Sequence, residues 1–389
     1  MQPITGCIFF ISNCCDMGKR LRLCTVLTLL AAGLVFGLVI ISKIPANRSN
    51  DFVRRLPPHF LNDEREFRWP INPWRLAGSD DSAFYLAHRG LLNVIMRAGR
   101  DTTVISAKMA SGRLPNFSDQ ASLSVDKTAF YIADGKAGDI YMGDKMSWTA
   151  AVADSEMPFF DREVTLADKV FFRTILPEKG FVLGVKDFRT HAQLLFQDLP
   201  GGQTGALFDK DGMLLKDNHY SFIVYVYRYR NQFVVMDTSL RLLYSGKTID
   251  TVAHVHIQTG KANQGRTIKM AAPPPVVNQS ACTANGYLYI KSALKADNES
   301  PDIFNNASVI DIYHLKSGDY VNSFYVSDHN HEKMKEFAVR GNKLAALYPH
   351  SLKLFEFGIT LPPANPAFSP RSSAPTPHAS SLRSSSDHR

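Results

Sequence analysis

The sequence predicts an all-β fold: repeated antiparallel units behind one apolar N-terminal helix. Three observations lead there. A short Asp- or Asn-led turn recurs at Asp81-Ser82, Asp126-Lys127, Asp168-Lys169, Asn218-His219, Asn285-Gly286 and Asn342-Lys343, at intervals of 45, 42, 50, 67 and 57 residues. Each turn is flanked by alternating or aromatic-rich runs. The only long apolar stretch lies ahead of the first copy.

Each copy can be read strand by strand. A short alternating run such as SLSV or KEFAV leads into the turn, and an aromatic or aliphatic run follows: AFYLA, TAFYIA, VFFRTI, YSFIVYVY, YLYIKS, LAALYP. Asp and Asn bond their own backbone at turns and tolerate left-handed angles; the β-branched and aromatic residues beyond suit a pleated, buried surface. Asn285-Gly286 is the strongest hairpin signal of the set. A third strand comes next (LLNVIMRA, DIYMGD, FVLGVKD, QFVVMDT, SVIDIYHL, SLKLFEF), and a fourth often follows, as in TTVISAKM and DYVNSFYV. Four strands per interval of roughly 40–50 residues is the period of propeller blades. The two long intervals hold insertions near Lys261–Pro275 and Ala296–Asn306.

The fold class is therefore a six-bladed β-propeller over residues 51–360. Ring closure removes most open sheet edges. The sixth copy ends at Phe357 without a fourth strand, so Phe52–Leu56 is expected to supply it and seal the ring. The competing architecture is a pair of β-sandwiches, which also show short strands and frequent turns.

The segment FYIADGKAGDIYMG resembles the middle of an NHL-type repeat, in which a strand ending in Ala-Asp meets a Gly-containing turn and another strand. IDIYHLKSGDYVNSF is similar to the strand pair of quinoprotein-like repeats. Together residues 51–360 resemble the six-bladed propellers of the NHL and TolB-like group. WD40 and kelch grammar is absent, since no Trp-Asp pair closes a strand and the one Gly-Gly is Gly201-Gly202. The repeated strand-closing Trp of quinoproteins is missing too, which counts against a quinone, and no cofactor is expected.

Ahead of the repeats, Leu21–Ile44 carries no charge from Leu23 to Ile41. About 20 such residues at ~1.5 Å rise span a bilayer core. The run is too long for the core of a signal peptide, and no A-x-A site follows it, so an uncleaved transmembrane signal anchor is expected, with Met17 an alternative start. Lys19, Arg20 and Arg22 precede the span while Lys43, Arg48, Arg54 and Arg55 follow it, so charge alone leaves orientation open. A large folded domain behind one anchor is usually exported. The expectation is residues 1–20 cytoplasmic and the body extracytoplasmic. Cys7, Cys14, Cys15 and Cys24 precede or lie in the span, leaving Cys282 alone in the body, where no intradomain disulfide can form. Residues 361–389, dominated by Pro and Ser, are expected to be disordered.

The net charge of +8 includes +3 from residues 1–43. The remainder is spread thinly, with no Lys/Arg run, so no nucleic-acid partner is expected. No P-loop, dinucleotide or Gly-x-Ser-x-Gly motif occurs. On the face where propellers take ligands, the second-to-third-strand loops carry Arg89, Lys136, Lys179, Arg228 and Arg230 against Asp134, Glu178, Asp297, Glu299 and Asp302, which cancel. Lactonase-like propellers hold calcium there, but their ligands cannot be placed in this chain. Asp209-Lys210-Asp211-Gly212 starts like a calcium loop without the later ligands, and reads as a hairpin turn. His254-Val255-His256 reads as a strand with both imidazoles on its solvent face, and His329 and His331 as an interblade loop. Ile223–Arg228 reads as a strand buried on both faces that emerges at Arg228. No catalytic, cofactor-binding or metal residue can be named.

The functional expectation is a membrane-anchored, exported propeller that binds or scaffolds in the cell envelope, its partner a protein or small molecule at the propeller face. The alternatives are a propeller hydrolase or lyase with a metal at the channel mouth, and a eukaryotic type II membrane glycoprotein using sequons at Asn47, Asn116, Asn278, Asn298 and Asn306.

Overall fold

The computed structural model describes residues 25–35 and 50–362, apart from 178, 204–206, 256–257, 263–266 and 273. Residues 25–35 form a helix in a unit of their own. The expected span Leu21–Ile44 extends beyond the described residues at both ends. No helix among the described residues is long and apolar enough to cross a membrane. The tail from residue 363 onward also lies outside them.

The body is built from strands that follow the repeats. β1 (Leu61–Arg68) precedes them. β2 (Trp74–Ser79), β3 (Phe84–His88), β4 (Val94–Ala98) and β5 (Thr102–Ser106) form the first antiparallel run. After the short β6 (Lys108–Met109), the second run is β7 (Ser122–Val125), β8 (Ala129–Asp134), β9 (Asp139–Asp144) and β10 (Thr149–Asp154). The third is β11 (Arg162–Leu166), β12 (Lys169–Leu176), β13 (Gly180–Asp187) and β14 (Gln193–Phe196). The fourth is β15 (Gly212–Asp217), β16 (Phe222–Tyr227), β17 (Gln232–Met236) and β18 (Leu242–Lys247). A hairpin of β19 (Gln258–Ala262) and β20 (Thr267–Ala272) occupies the first expected insertion. Then β21 (Asn278–Ala284), β22 (Tyr287–Ser292), β23 (Ala307–His314) and β24 (Tyr320–Ser327) form a run whose second-to-third-strand loop carries the other insertion, including a helical turn at Pro301–Asn305. Last come β25 (Glu336–Arg340), β26 (Lys343–Leu347) and β27 (Ser351–Phe357), with β1 on the far side of β27.

The expected turns do the joining. Asn285 and Gly286 take φ of +55° and +79°, the twin left-handed pair of a type I′ hairpin. In the first and fourth runs the bonding carboxylate sits one residue earlier than the repeat suggested. Asp80 accepts from the Ser82 and Ala83 amides at 2.7 and 2.9 Å, and Asp217 from the Tyr220 amide at 2.7 Å. The first two runs merge into one nine-stranded sheet through a Gly78–Val125 bridge. Gly78 permits this because the Val125 carbonyl oxygen lies 2.0 Å from where a Cβ would be.

Packing shows how the sheets are arranged. Each successive pair shares one apolar core. Ala77, Tyr85 and Ile95 meet Leu123, Phe130 and Ile132; Ala133 and Ile140 meet Phe160, Val170 and Phe172; Phe171, Leu183 and Val185 meet Ile223, Tyr225 and Tyr227. Val224, Val226 and Phe233 meet Leu288, Ile290 and Tyr313; Tyr289 and Ile310 meet Phe337, Leu344 and Phe355; Ala345, Leu347 and Leu354 return to Trp74, Phe84 and Leu86. The last core closes on the first sheet, so the assembly is a ring. β16 shows the logic in one strand: Ile223, Tyr225 and Tyr227 face one neighbour while Val224 and Val226 face the other, all essentially inaccessible to solvent. Its expected burial on two faces holds. The first strand of each run lines the centre: β25, β2 and β7 lie side by side, as do β11, β15, β21 and β25, and a Ser122–Glu163 hydrogen bond spans β7 to β11. The fold is an all-β propeller.

The N-terminal chain does close the last sheet, but with β1, not with Phe52–Leu56. Leu61–Arg68 pairs antiparallel with Ser351–Phe357. Its sequence LNDEREFR hides it, because an outermost strand is largely exposed and needs no apolar alternation. Charge does the matching instead: Asp63 pairs with Lys353 at 2.8 Å and Glu64 with Lys343. Phe52–Leu56 has the right alternation for a different partner. Phe52 and Arg54 are buried against the loop 294–299 and the strands β23 and β24: Arg54 bonds Asp311 on β23, and backbone bonds run from Asp297 N to Phe52 O (2.9 Å) and from Ser323 N on β24 to Arg55 O (2.8 Å).

Candidate functional site

The central channel has two mouths, each ringed by polar side chains from the ends of the first strands. At the mouth where those strands begin, nearly every boundary between runs carries a polar latch. Glu336 on β25 accepts from the Leu76 amide at 2.7 Å and from Arg89 at 3.0 Å. Arg75 on β2 donates to the Ala121 carbonyl at 3.1 Å. Ser122 on β7 donates to Glu163 on β11. Arg173 bridges Asp161 and Asp211, its Nη1 lying 2.9 Å from Asp211. Arg228 pairs with Asp211 at 3.2 Å and reaches the Gln279 carbonyl at 3.4 Å. Between β22 and the loop before β25, Lys291 donates to the Met334 carbonyl at 2.6 Å.

Electrostatics at this mouth follow from half-burial. Burial pushes the Glu163 carboxyl up, against the Ser122 hydrogen bond and the Arg75 charge. Burial pulls the Arg75 guanidinium down, opposed by Glu163 and Glu336. Charges of both signs line the rim, and they are spent on one another, on hydroxyls or on backbone groups.

The opposite mouth collects the turns. Lys127 pairs with Asp81 at 3.0 Å and Lys145 with Asp80 at 2.6 Å. Lys216 on β15 passes the intervening β11 to reach Asp126 at 2.5 Å, and Asn218 donates to Asp126 at 3.2 Å. Asn285 donates to the Gly341 carbonyl at 2.8 Å, and Arg340 to the Asp81 carbonyl at 2.6 Å. A cavity of about 260 Å³ remains among these groups. Burial alone would raise Asp126, but Lys216 and the turn hydrogen bonds hold it below the usual carboxylate range. Asp217, lacking such a cation, is pushed up by burial.

The sequence-level candidates divide sharply. Arg89 and Arg228 reach the channel rim. Arg230 is buried under the Tyr227 ring at 3.6 Å and donates to the Asp209 and Gly201 carbonyls, so it is a structural cation. Asp134 accepts from the Ser118 amide and hydroxyl and from two amides of its own turn, which explains the strand-ending Ala-Asp of the repeat. Asp209 and Lys210 lie in a 3₁₀ turn, not the expected hairpin turn, and Gly212 opens β15. Asp211 is thereby freed to join Arg173 and Arg228. His254 lies in a bend between strands, not on the expected strand, and His256 is outside the described residues. His329 and His331 do lie in the loop between β24 and β25, where His329 Nε2 is 2.7 Å from Glu66 on β1. Among the described residues no group of three or more His, Cys, Asp or Glu side chains could hold a metal ion. Cys282 is free, and burial pushes its thiol up to about 12, far from a reactive thiolate.

No protein-family model matches the chain, and no curated protein matches it. Solved structures similar to it include a DUF4221 family member from Bacteroides vulgatus (12% identity, TM-score 0.43, covering 79% of this chain and 100% of that one). Virginiamycin B lyase from Staphylococcus aureus matches at 11% identity and TM-score 0.43, covering 75% of this chain and 98% of that one. A chain of a nidogen/laminin complex matches at 9% identity and TM-score 0.38, covering 67% of this chain and 81% of that one. These similarities are distant, and the propeller assignment rests on the strand topology and shared cores.

Proposed function

We propose that this chain is a six-bladed propeller of the NHL and TolB-like kind, tethered to a membrane by residues 21–44 with its body on the extracytoplasmic side. There it serves as a binding or scaffolding module of the cell envelope. The blade count follows from reading β2–β5 and β7–β10 as two blades joined through Gly78 and Val125, and β19–β20 as an insertion. The anchor and orientation rest on the apolar run and on the folded body behind it.

One observation carries the binding reading. At the mouth where the first strands begin, the charged groups are committed to partners across blade boundaries, and among the described residues no hydroxyl or thiol there is bonded to a histidine. Such a rim offers fixed dipoles and both charge signs to a partner but no activated nucleophile. The test has two arms. The full chain is expected to sediment with membranes and to leave them only in detergent, and its melting temperature is expected to ignore calcium, magnesium and zinc. Release by salt or carbonate would overturn the anchor. A chelator-reversible rise in melting temperature would favour the metal-dependent hydrolase or lyase.

A further inference from the structure

One face of the β21–β24 sheet carries polar groups that its packing does not use. Strand register places Ser280, Lys291 and Ile310 abreast, with Cys282, Tyr289 and Ser308 alternating onto the same face. That face packs on Phe337, Val339 and Leu344 of the last sheet. Within it the hydroxyls of Ser280, Tyr289 and Ser308 are buried without a hydrogen-bond partner among the described residues. The Lys291 side chain is nearly as deep, the residue being 9% exposed, and among the described residues its ammonium bonds only the Met334 carbonyl. The neighbouring carboxylate, Asp328, pairs instead with Lys333 at 2.8 Å. An ammonium taken out of water with a single neutral acceptor is costly, and buried hydroxyls normally find partners. Two of these four groups, Lys291 and Ser308, also line an open cavity, which marks a place built to receive something.

The cavity, about 420 Å³, is lined by Lys291, Ser308, Lys333, Gln279, Phe304 and Asn305. Both charged groups in its lining are ammonium donors and its serine hydroxyls can each donate, so a complementary ligand offers acceptors and carries negative charge. We infer that this cavity binds a small oxyanion, a carboxylate or phosphate, anchored on the Lys291 ammonium and the Ser308 hydroxyl. The site shares Lys291 and Gln279 with the channel mouth where the first strands begin, and does not depend on where the body resides. Titration supports the geometry. Burial first, and the Lys333 charge second, pull Lys291 down to about 8, with Asp328 opposing. The other titratable groups on this face, Cys282 and Tyr289, are both pushed up by burial and stay neutral. Bound anion supplies the missing counter-charge and draws the lysine back toward its ordinary range.

The experiment is competitive acylation of the full chain in detergent, with Lys291 followed by peptide mass across pH. The probes are inorganic phosphate and acetate. Without anion, Lys291 is expected to titrate near pH 8; saturating anion is expected to raise that midpoint and slow acylation at pH 8 by roughly fivefold, as a shift of about one unit requires. Protection by phosphate alone or by acetate alone assigns the ligand class. Ser308→Ala is expected to weaken protection by about tenfold to a hundredfold, as loss of one hydrogen bond to a charged group does. Lys291→Met should abolish anion binding, read by calorimetry, while keeping or raising the melting temperature. If neither anion alters Lys291 acylation, or if Lys291→Met binds them as the parent does, the inference is wrong.

Discussion

Arg54→Met removes the cation that two buried carboxylates share, and among the described residues no other salt bridge reaches either of them. The Arg54 Nε lies 2.7 Å from Asp311 Oδ1 and Nη2 lies 3.1 Å from Oδ2, while Nη1 bonds Glu299 and the Leu294 carbonyl. The guanidinium has no accessible surface and neither carboxylate more than 4%. Burial would lower the Arg54 pKa, but the two carboxylates more than compensate and hold it above its ordinary value. Breaking a buried pair from one side costs about 3–5 kcal/mol, because the other charge stays behind. At about 2–4 °C per kcal/mol for a domain of this order, the melting temperature should fall on the order of 10 °C. The assay is thermal unfolding by circular dichroism of Arg54→Met beside the triple variant Arg54→Met, Glu299→Gln, Asp311→Asn. The triple variant removes the stranded charges and should recover most of the loss. A single variant that melts within about 1 °C of the parent would refute the reasoning. So would a triple variant no better than the single.

Glu163→Gln should stabilise the chain at neutral pH. The raised folded pKa means the native state holds its proton longer, so stability falls as pH rises from the unfolded value near ~4.3 through the folded one; denaturant midpoints across pH should show that slope vanish in the variant. Asp126→Asn should do the reverse. Its depressed pKa contributes stability that is present above the unfolded value of ~3.9 and lost as pH falls through the folded one, so the variant should lose stability at neutral pH and its acid-side slope. Gly184→Ala should cost about 1–3 kcal/mol by overpacking, read as a lower denaturant midpoint, because a Cβ there would sit 2.4 Å from the Phe172 ring.

What the sequence made legible was local. Turn chemistry and the double-faced burial of Ile223–Tyr227 both sit within a few residues of chain, and both hold. What it hid was either exposed or long-range. β1 carries no apolar alternation because one side of an outermost strand meets water, so Phe52–Leu56, with its two buried residues, looked the better strand. The cross-strand pairs Gly143–Phe130, Gly184–Phe172 and Gly246–Phe233 repeat through three successive sheets, a small residue making room for a ring, yet they are invisible without register. The channel rim brings Arg75, Ser122, Glu163, Gln279 and Glu336 together from distant positions. One signal could have found them: each is the first or second residue of the opening strand in its repeat, a polar residue where a buried strand needs none. The Lys291 face gave no signal, since an unpartnered group is defined by what surrounds it in three dimensions.

Ring closure by β1 is the central structural claim, and a cross-link tests it most directly. Asn62 and Glu356 are register partners on β1 and β27. Antiparallel partners stand about 4.5–5.5 Å apart at Cα, within disulfide reach. The full chain with Asn62→Cys and Glu356→Cys should form that disulfide under mild oxidation, located by peptide mass, and should melt at a higher temperature when oxidised than when reduced. The control pair Val53→Cys with Glu356→Cys should not cross-link, because Phe52–Leu56 docks on loop 294–299 and β23. A disulfide from position 53 but none from position 62 would contradict the closure and return the sealing strand to Phe52–Leu56.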